Sequence, residues 1–223
     1  MIKAVIDIGT NSVKYLLAEV CSNDKPIILK DMVKITRLGE GLSKTGRISP
    51  QALLRSAETA EEFVLDAKKS GAGEIRIVGT MALRTALNAA DFMRRIWEHA
   101  GVETEVLSGE DEATLSFWGA LSGFDPGNVK NCCMIDTGGG STELVFAREG
   151  QIVSRSSLKT GALTLTEKYF SKDIVSQEDL MNAEDELKEL FALTKPPFRA
   201  EMAVGIGGNV TAMASVFRRM ERY

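Results

Sequence analysis

The chain has 223 residues, 44% of them hydrophobic, and a formal net charge of −4, enough apolar material for one large domain or two small ones. The mild acidity, without any block of like charges, argues against a groove that tracks a nucleic-acid backbone and leaves room only for a local basic pocket. No apolar run nears the ~20 residues that span a bilayer, and Asp7 interrupts the start, so a soluble, cytoplasmic protein without signal peptide, membrane or specific nucleic-acid partner is expected.

Taken in order, residues 3–20 read as an apolar strand ending at Asp7, a turn through Gly9, Thr10, Asn11 and Ser12, and a second strand. Residues 26–36, rich in Ile, Leu and Val, give a third. The polar, glycine-rich stretch 37–47 carries Arg37, Lys44 and Arg47 and is either a surface loop or a reach toward a bound anion. It is not a Walker loop, because Ser43 precedes Lys44 where a glycine is required. Ser49 and Pro50 start a helix, and Leu53, Ala57, Ala60, Val64 and Ala67 keep helical spacing up to Gly71. A fourth strand over 74–78 ends at Gly79. Arg84 follows, where open α/β sheets hold ligands, and reads as a phosphate clamp or as half of a structural salt bridge. Asn88 is expected to cap a helix that Gly101 ends, with His99 in its last turn better suited to the helix dipole than to catalysis. After a fifth strand over 102–107, Glu110, Asp111 and Glu112 open another helix; they compensate its dipole, or one of them faces a ligand and orients a water.

The turn-rich residues 123–128, with Pro126, mark the expected division into lobes 1–125 and 126–223. The second lobe begins with an apolar strand to Asp136, a turn through Gly138, Gly139, Gly140, Ser141 and Thr142, then Glu143 and a resumed strand. Three glycines leave main-chain N–H groups open to phosphate oxygens. Two carboxylates beside a phosphate repel it unless a hard cation, Mg²⁺ or Mn²⁺, lies between, so Asp136 and Glu143 are the expected metal ligands. A constant offset of 129 places Ile6 on Ile135, Asp7 on Asp136, Gly9 on Gly138, Ser12 on Ser141 and Ala18 on Ala147. The chain therefore reads as two related lobes, each presenting a phosphate loop, with a ligand expected in the cleft between them. A third strand over 151–158 follows, then helices over 163–170 and, capped by Ser176, 177–193, a strand over 202–204 and a helix over 210–222. Val210 stands where a Rossmann fingerprint needs glycine; the turn with Gly207 and Gly208 is a packing turn or an approach to a phosphate, sugar or base. Cys21, Cys132 and Cys133 lack CxxC spacing and read as buried, reduced thiols.

Assembled, the segment from Ile6 to Ser12, Gly39-Glu40-Gly41-Leu42 with Thr45-Gly46-Arg47, Ala82-Leu83-Arg84 with Asn88, Ser108-Gly109 before Glu112-Ala113, and Asp136 through Glu143 resemble the Ppx/GppA family of exopolyphosphatases and guanosine pentaphosphate phosphohydrolases. That family sits within the actin, sugar-kinase and Hsp70 superfamily. The resemblance implies an α/β fold of two ribonuclease H-like lobes, with mixed five-stranded sheets flanked by helices. It implies release of orthophosphate from polyphosphate or pppGpp, with Glu112 activating water, Asp136 and Glu143 holding the metal and supporting the reaction, and Arg84 clamping the terminal phosphoryl group. Asp7, Gly9, Thr10, Asn11, Ser12, Gly138, Gly139, Gly140, Ser141 and Thr142 would bind phosphate, and Gly207 and Gly208 match the superfamily's adenosine motif. Asp111 departs from the glutamate of many members. The second lobe stops before a fifth strand and last helix, so a fragment is expected, with the strand at 202–204 on an unpaired edge. A homodimer is the expected assembly. A catalytically weak polyphosphate or alarmone sensor and a superfamily kinase are the competing readings.

Overall fold

The computed structural model describes residues 1–21, 25–124, 130–172 and 174–221. They gather into two compact units, Met1–Ser108 and Gly109–Tyr223. The first contains β1 (Ile2–Ile8), β2 (Ser12–Glu19), β3 (Ile27–Ile35), α1 (Leu42–Thr45), α2 (Pro50–Lys69), β4 (Glu74–Gly79), α3 (Met81–Thr85), α4 (Ala89–Ala100) and β5 (Thr104–Val106). Its sheet runs β3-β2-β1-β4-β5, with β1, β4 and β5 parallel and the β1-β2-β3 meander antiparallel.

Alternation along the strands sends Ala4, Ile6 and Ile8 of β1 and Val13, Tyr15 and Leu17 of β2 into one core, shared with Phe63 and Val64 of α2 and Phe92 and Ile96 of α4. Tyr15 stacks on Phe63 at 5.1 Å and donates its hydroxyl to Asp66 at 2.9 Å. Lys30 of the edge strand reaches the same carboxylate at 2.7 Å, which ties β3 to α2. The start of α2 forms as expected, with Ser49 Oγ accepting from the Ala52 N–H. Asn88 behaves differently. It stands at the N-cap of α4 but makes no capping bond; its side chain accepts from the Ile48 N–H at 2.8 Å and donates to the Ile48 carbonyl at 3.0 Å.

The second unit contains α5 (Gly109–Leu121), β6 (Asn131–Thr137), β7 (Thr142–Arg148), β8 (Gln151–Leu158), α6 (Ala162–Tyr169), α7 (Gln177–Ala192), β9 (Met202–Ile206) and α8 (Gly208–Phe217). Its sheet runs β8-β7-β6-β9, with β9 parallel to β6 and on the edge. The units divide ahead of α5 rather than at 125/126, because Ala113 and Phe117 of α5 are buried on Cys132, Met134, Val145 and Ala147 of the second sheet. Residues 125–129 of the expected linker, Pro126 included, lie outside the described residues. On the opposite face Cys133, Leu144 and Phe146 pack with Phe198, which meets Phe146 edge-on at 5.8 Å.

Each unit thus has the three-stranded meander, helix and parallel strand of a ribonuclease H-like lobe, and the described residues of the second supply four strands where the first has five. The repeat extends to an irregularity: pairing with the third strand slips between Leu17 and Ala18 in one sheet and between Phe146 and Ala147 in the other, the same positions under the 129-residue offset. α8 ends at Phe217, short of the expected 222, and Arg219 then takes a left-handed φ of 50°; Arg222 lies outside the described residues. Cys132 and Cys133 are buried free thiols, whereas Cys21 is exposed. Among the described residues no helix is long and apolar enough to cross a membrane.

Candidate active site

In the second unit the β6–β7 hairpin sets Asp136 directly opposite Glu143. Both side chains project from the face that α5 covers, since they share parity with Met134 and Val145 of the α5 core. Glu143 is 1% exposed, and its carboxyl is pushed up to about 7, first by burial and then by the nearby charge of Glu112, with Asp136 adding to the rise. Hydrogen bonds from Ser157, at 2.7 Å to Oε1, and from Ser141 act the other way. Asp136 Oδ2 accepts from Ser116 Oγ of α5 at 2.7 Å. Of the three acids that open α5, Glu110 is paired with Arg155 of β8 at 2.9 Å, while Glu112 is the one that acts on Glu143.

The glycine turn between these carboxylates is held from behind by α6. The N–H groups of Ala162 and Leu163 donate to the carbonyls of Gly138 and Gly139, at 3.0 and 2.8 Å, and that of Thr164 also reaches Gly139. The orphan amides of a helix N-terminus are thereby spent on the loop. In a trans peptide the C=O and the following N–H point in opposite directions, and among the described residues every peptide is trans. Fixing the Gly138 and Gly139 carbonyls on α6 therefore turns the N–H groups of Gly139 and Gly140 away from it, as a pair of adjacent donors of the kind that cradles an anion. Gly161 makes this approach possible: a Cβ there would lie 2.6 Å from the Gly139 carbonyl carbon and 2.7 Å from the oxygens of Gly138 and Gly139. On the other side Gly207, at a left-handed φ of 93°, passes so near that a Cβ would stand 3.1 Å from Asp136 Oδ1, and Asn209 donates to the Thr137 carbonyl. Gly208 begins α8 beside it.

The first unit carries the companion loop. Gly9 N–H donates to the Ser12 carbonyl at 2.9 Å just as Gly138 N–H donates to that of Ser141 at 3.0 Å. The Thr10 and Asn11 carbonyls accept from the amides of Gly39, Thr36 and Arg37, so in this unit too the segment after the third strand supports the turn. The stretch 37–47 is anchored rather than loose, with Leu38 and Leu42 buried. Here Asp7 faces Lys14, and the two are ion-paired at 3.1 Å, leaving Asp7 Oδ1 buried without a hydrogen-bond partner. Arg84, at the end of α3, donates from Nη1 to the Leu107 carbonyl at 2.7 Å.

The sequence model of the Ppx/GppA phosphatase family matches residues 17–223. The chain belongs to the Ppx/GppA phosphatase family. It is 30% identical to the bifunctional 3-dehydroquinate synthase/phosphatase of Fusobacterium nucleatum over 235 aligned positions that take in all of this chain but only 35% of that relative. The solved structure of an exopolyphosphatase-like protein superposes with a TM-score of 0.92 at 29% identity, covering 100% of this chain and 71% of the other. The Ppx/GppA enzyme of Aquifex aeolicus gives a TM-score of 0.81 at 28% identity over 100% and 73%.

Against that family background, the described residues hold no group of three His, Cys, Asp or Glu side chains arranged to take a metal. What they offer is the Asp136–Glu143 pair with Glu112 nearby, an excess of negative charge in a poorly hydrated place. That suits Mg²⁺, which commonly uses one or two carboxylates and leaves its other positions to water and phosphate. Ser116, Ser157 and Gly161 escape a reading of the motifs. Substituting Gly161 by Ala is expected to cost about 1–3 kcal/mol of stability through overpacking and, by displacing the loop, about 10²-fold in turnover. Gly119→Ala, inside α5 where a Cβ meets nothing within 4 Å, should leave turnover unchanged and raise stability by up to about 1 kcal/mol through helix propensity; urea titration and a phosphate-release assay on both variants check this.

Proposed function

We propose that the chain is the catalytic core of an exopolyphosphatase-type phosphohydrolase that frees terminal orthophosphate from inorganic polyphosphate or pppGpp by in-line attack of water. One observation carries the reading. Where the first hairpin opposes Asp7 with Lys14 and is neutral by itself, the second opposes Asp136 with the buried Glu143, so its glycine turn welcomes an anion only in company with a cation. Asp136 and Glu143 would hold that cation, Mg²⁺ or Mn²⁺. When bound it supplies charge neutralisation for the phosphoryl oxygens.

The chain's own groups do the rest. Glu112 accepts a hydrogen bond from the attacking water and takes its proton as the bond to phosphorus forms, while the bond from that phosphorus to the bridging anhydride oxygen breaks and the shortened substrate leaves carrying that oxygen. The N–H pair of Gly139 and Gly140 receives charge on the transferring group, and the Gly207-Gly208 turn, which passes beside Asp136, is a further phosphate contact. The test is orthophosphate released from polyphosphate and from pppGpp, each with Mg²⁺ and with EDTA. Release from at least one, abolished by EDTA, is expected. Binding of both without release would make the chain a sensor, and EDTA-resistant release would remove the cation.

A further inference from the structure

We infer that Ser116 and Ser157 are positioning residues that fix which oxygen of Asp136 and of Glu143 is presented to the cation and the phosphoryl group, an inference that rests on the reading above. The two come from different elements yet do the same thing. Ser116, on α5, donates to Asp136 Oδ2, and Ser157, on β8, donates to Glu143 Oε1, each at 2.7 Å. Each hydroxyl engages one oxygen of its carboxylate, and Ser141 of the glycine turn donates to Glu143 as well. A carboxylate held by one oxygen loses the freedom to rotate about its terminal bond, so its other oxygen keeps a fixed aim.

The placement of both serines follows from the fold. Ser116 is four residues after Glu112, so both lie on the same side of α5, between the turn that starts the helix and the buried Ala113 and Phe117. Ser157 is the residue directly across β7–β8 from Glu143, and it is brought there by the slip between Phe146 and Ala147. Without that slip the pairing would continue one residue out of step and place Ser156 opposite Glu143, with Ser157's side chain on the other face. The irregularity thus aims a hydroxyl at the buried carboxylate.

Mn²⁺ binding to the 223-residue chain without substrate, followed by electron paramagnetic resonance, reads positioning independently of turnover. Ser116→Ala and Ser157→Ala are each expected to weaken Mn²⁺ binding about 10-fold or more, while Ser116→Thr and Ser157→Thr, which keep the hydroxyl, stay within about threefold of the parent. At saturating metal the alanine variants should lose kcat and keep the KM for polyphosphate. Cysteine variants preserve the volume with a weaker donor and should fall between Ala and Thr, so an alanine variant that fails to fold does not remove the test. Alanine and cysteine variants that bind Mn²⁺ as the parent does would overturn the inference and leave the phosphatase reading standing. A parent chain that binds no Mn²⁺ overturns the cation reading and this inference together.

Discussion

Replacing Glu112 by Gln is expected to lower orthophosphate release by about 10²- to 10⁴-fold, the usual worth of a positioned general base, while polyphosphate binding stays close to that of the parent. The proposed function gives this residue the role of base because its charge acts on the buried carboxyl of Glu143. Glu110, in the same helical turn, is held by Arg155, and Asp136 and Glu143 are hydrogen-bonded to serines within the carboxylate pair. Glu112 is close enough to Glu143 to raise its proton affinity and remains partly exposed to solvent, where a water can sit. Gln keeps the shape but gives up the ability to accept a proton, together with the charge that raises the Glu143 carboxyl. Full turnover in the Gln variant would transfer the role to Glu143, and a matched loss in Glu143→Gln would then be required.

The hairpins and their turns were legible because their signal is local: a strand that ends in Asp, glycines that give the turn, and a strand that resumes. The repeat was legible for the same reason, and the structure extends it to the turn hydrogen bonds and to the strand slip, which no identity in sequence marks. What escaped depends on distance in the chain. Ser157 opposes Glu143 only through a one-residue slip in pairing, which hydrophobic pattern cannot register. Gly161 matters because α6 lies against the Gly138–Gly139 backbone, a contact between segments 22 residues apart. Ser116 carried a usable signal, its four-residue spacing from Glu112 on one helix. The boundary was misplaced because glycine and proline locate a turn, whereas the allegiance of α5 is decided by where Phe117 is buried. Asn88 looked like a cap and occupies the cap position, but the backbone of the buried Ile48 offered its side chain two partners at once.

Freed of divalent ions by EDTA, the chain is expected to lose about 3 kcal/mol of stability between pH 5 and pH 8. The cause is Glu143, whose carboxyl titrates near 4.5 in the unfolded chain and about 7 in the folded one. Between those values the folded state keeps a proton that the unfolded state has released, so stability is full below the lower value and declines as pH rises through the upper, by about 1.4 kcal/mol per unit. Among the described residues, the other groups whose values shift act outside that window. Asp66, Asp179 and Glu186 have lowered carboxyl values and act only in more acidic solution, where they weaken the fold as pH falls. The buried thiols of Cys132 and Cys133 titrate above their ordinary 9.0 and act only at more alkaline pH. Urea midpoints at several pH values measure the slope, and Glu143→Gln should flatten it, since the amide is neutral throughout. Saturating Mg²⁺ should flatten it as well, by favouring the ionised carboxylate. A slope that Mg²⁺ leaves untouched while Glu143→Gln removes it would mean that the buried carboxyl is real but holds no cation, and that the negative charge of this hairpin is balanced in some other way.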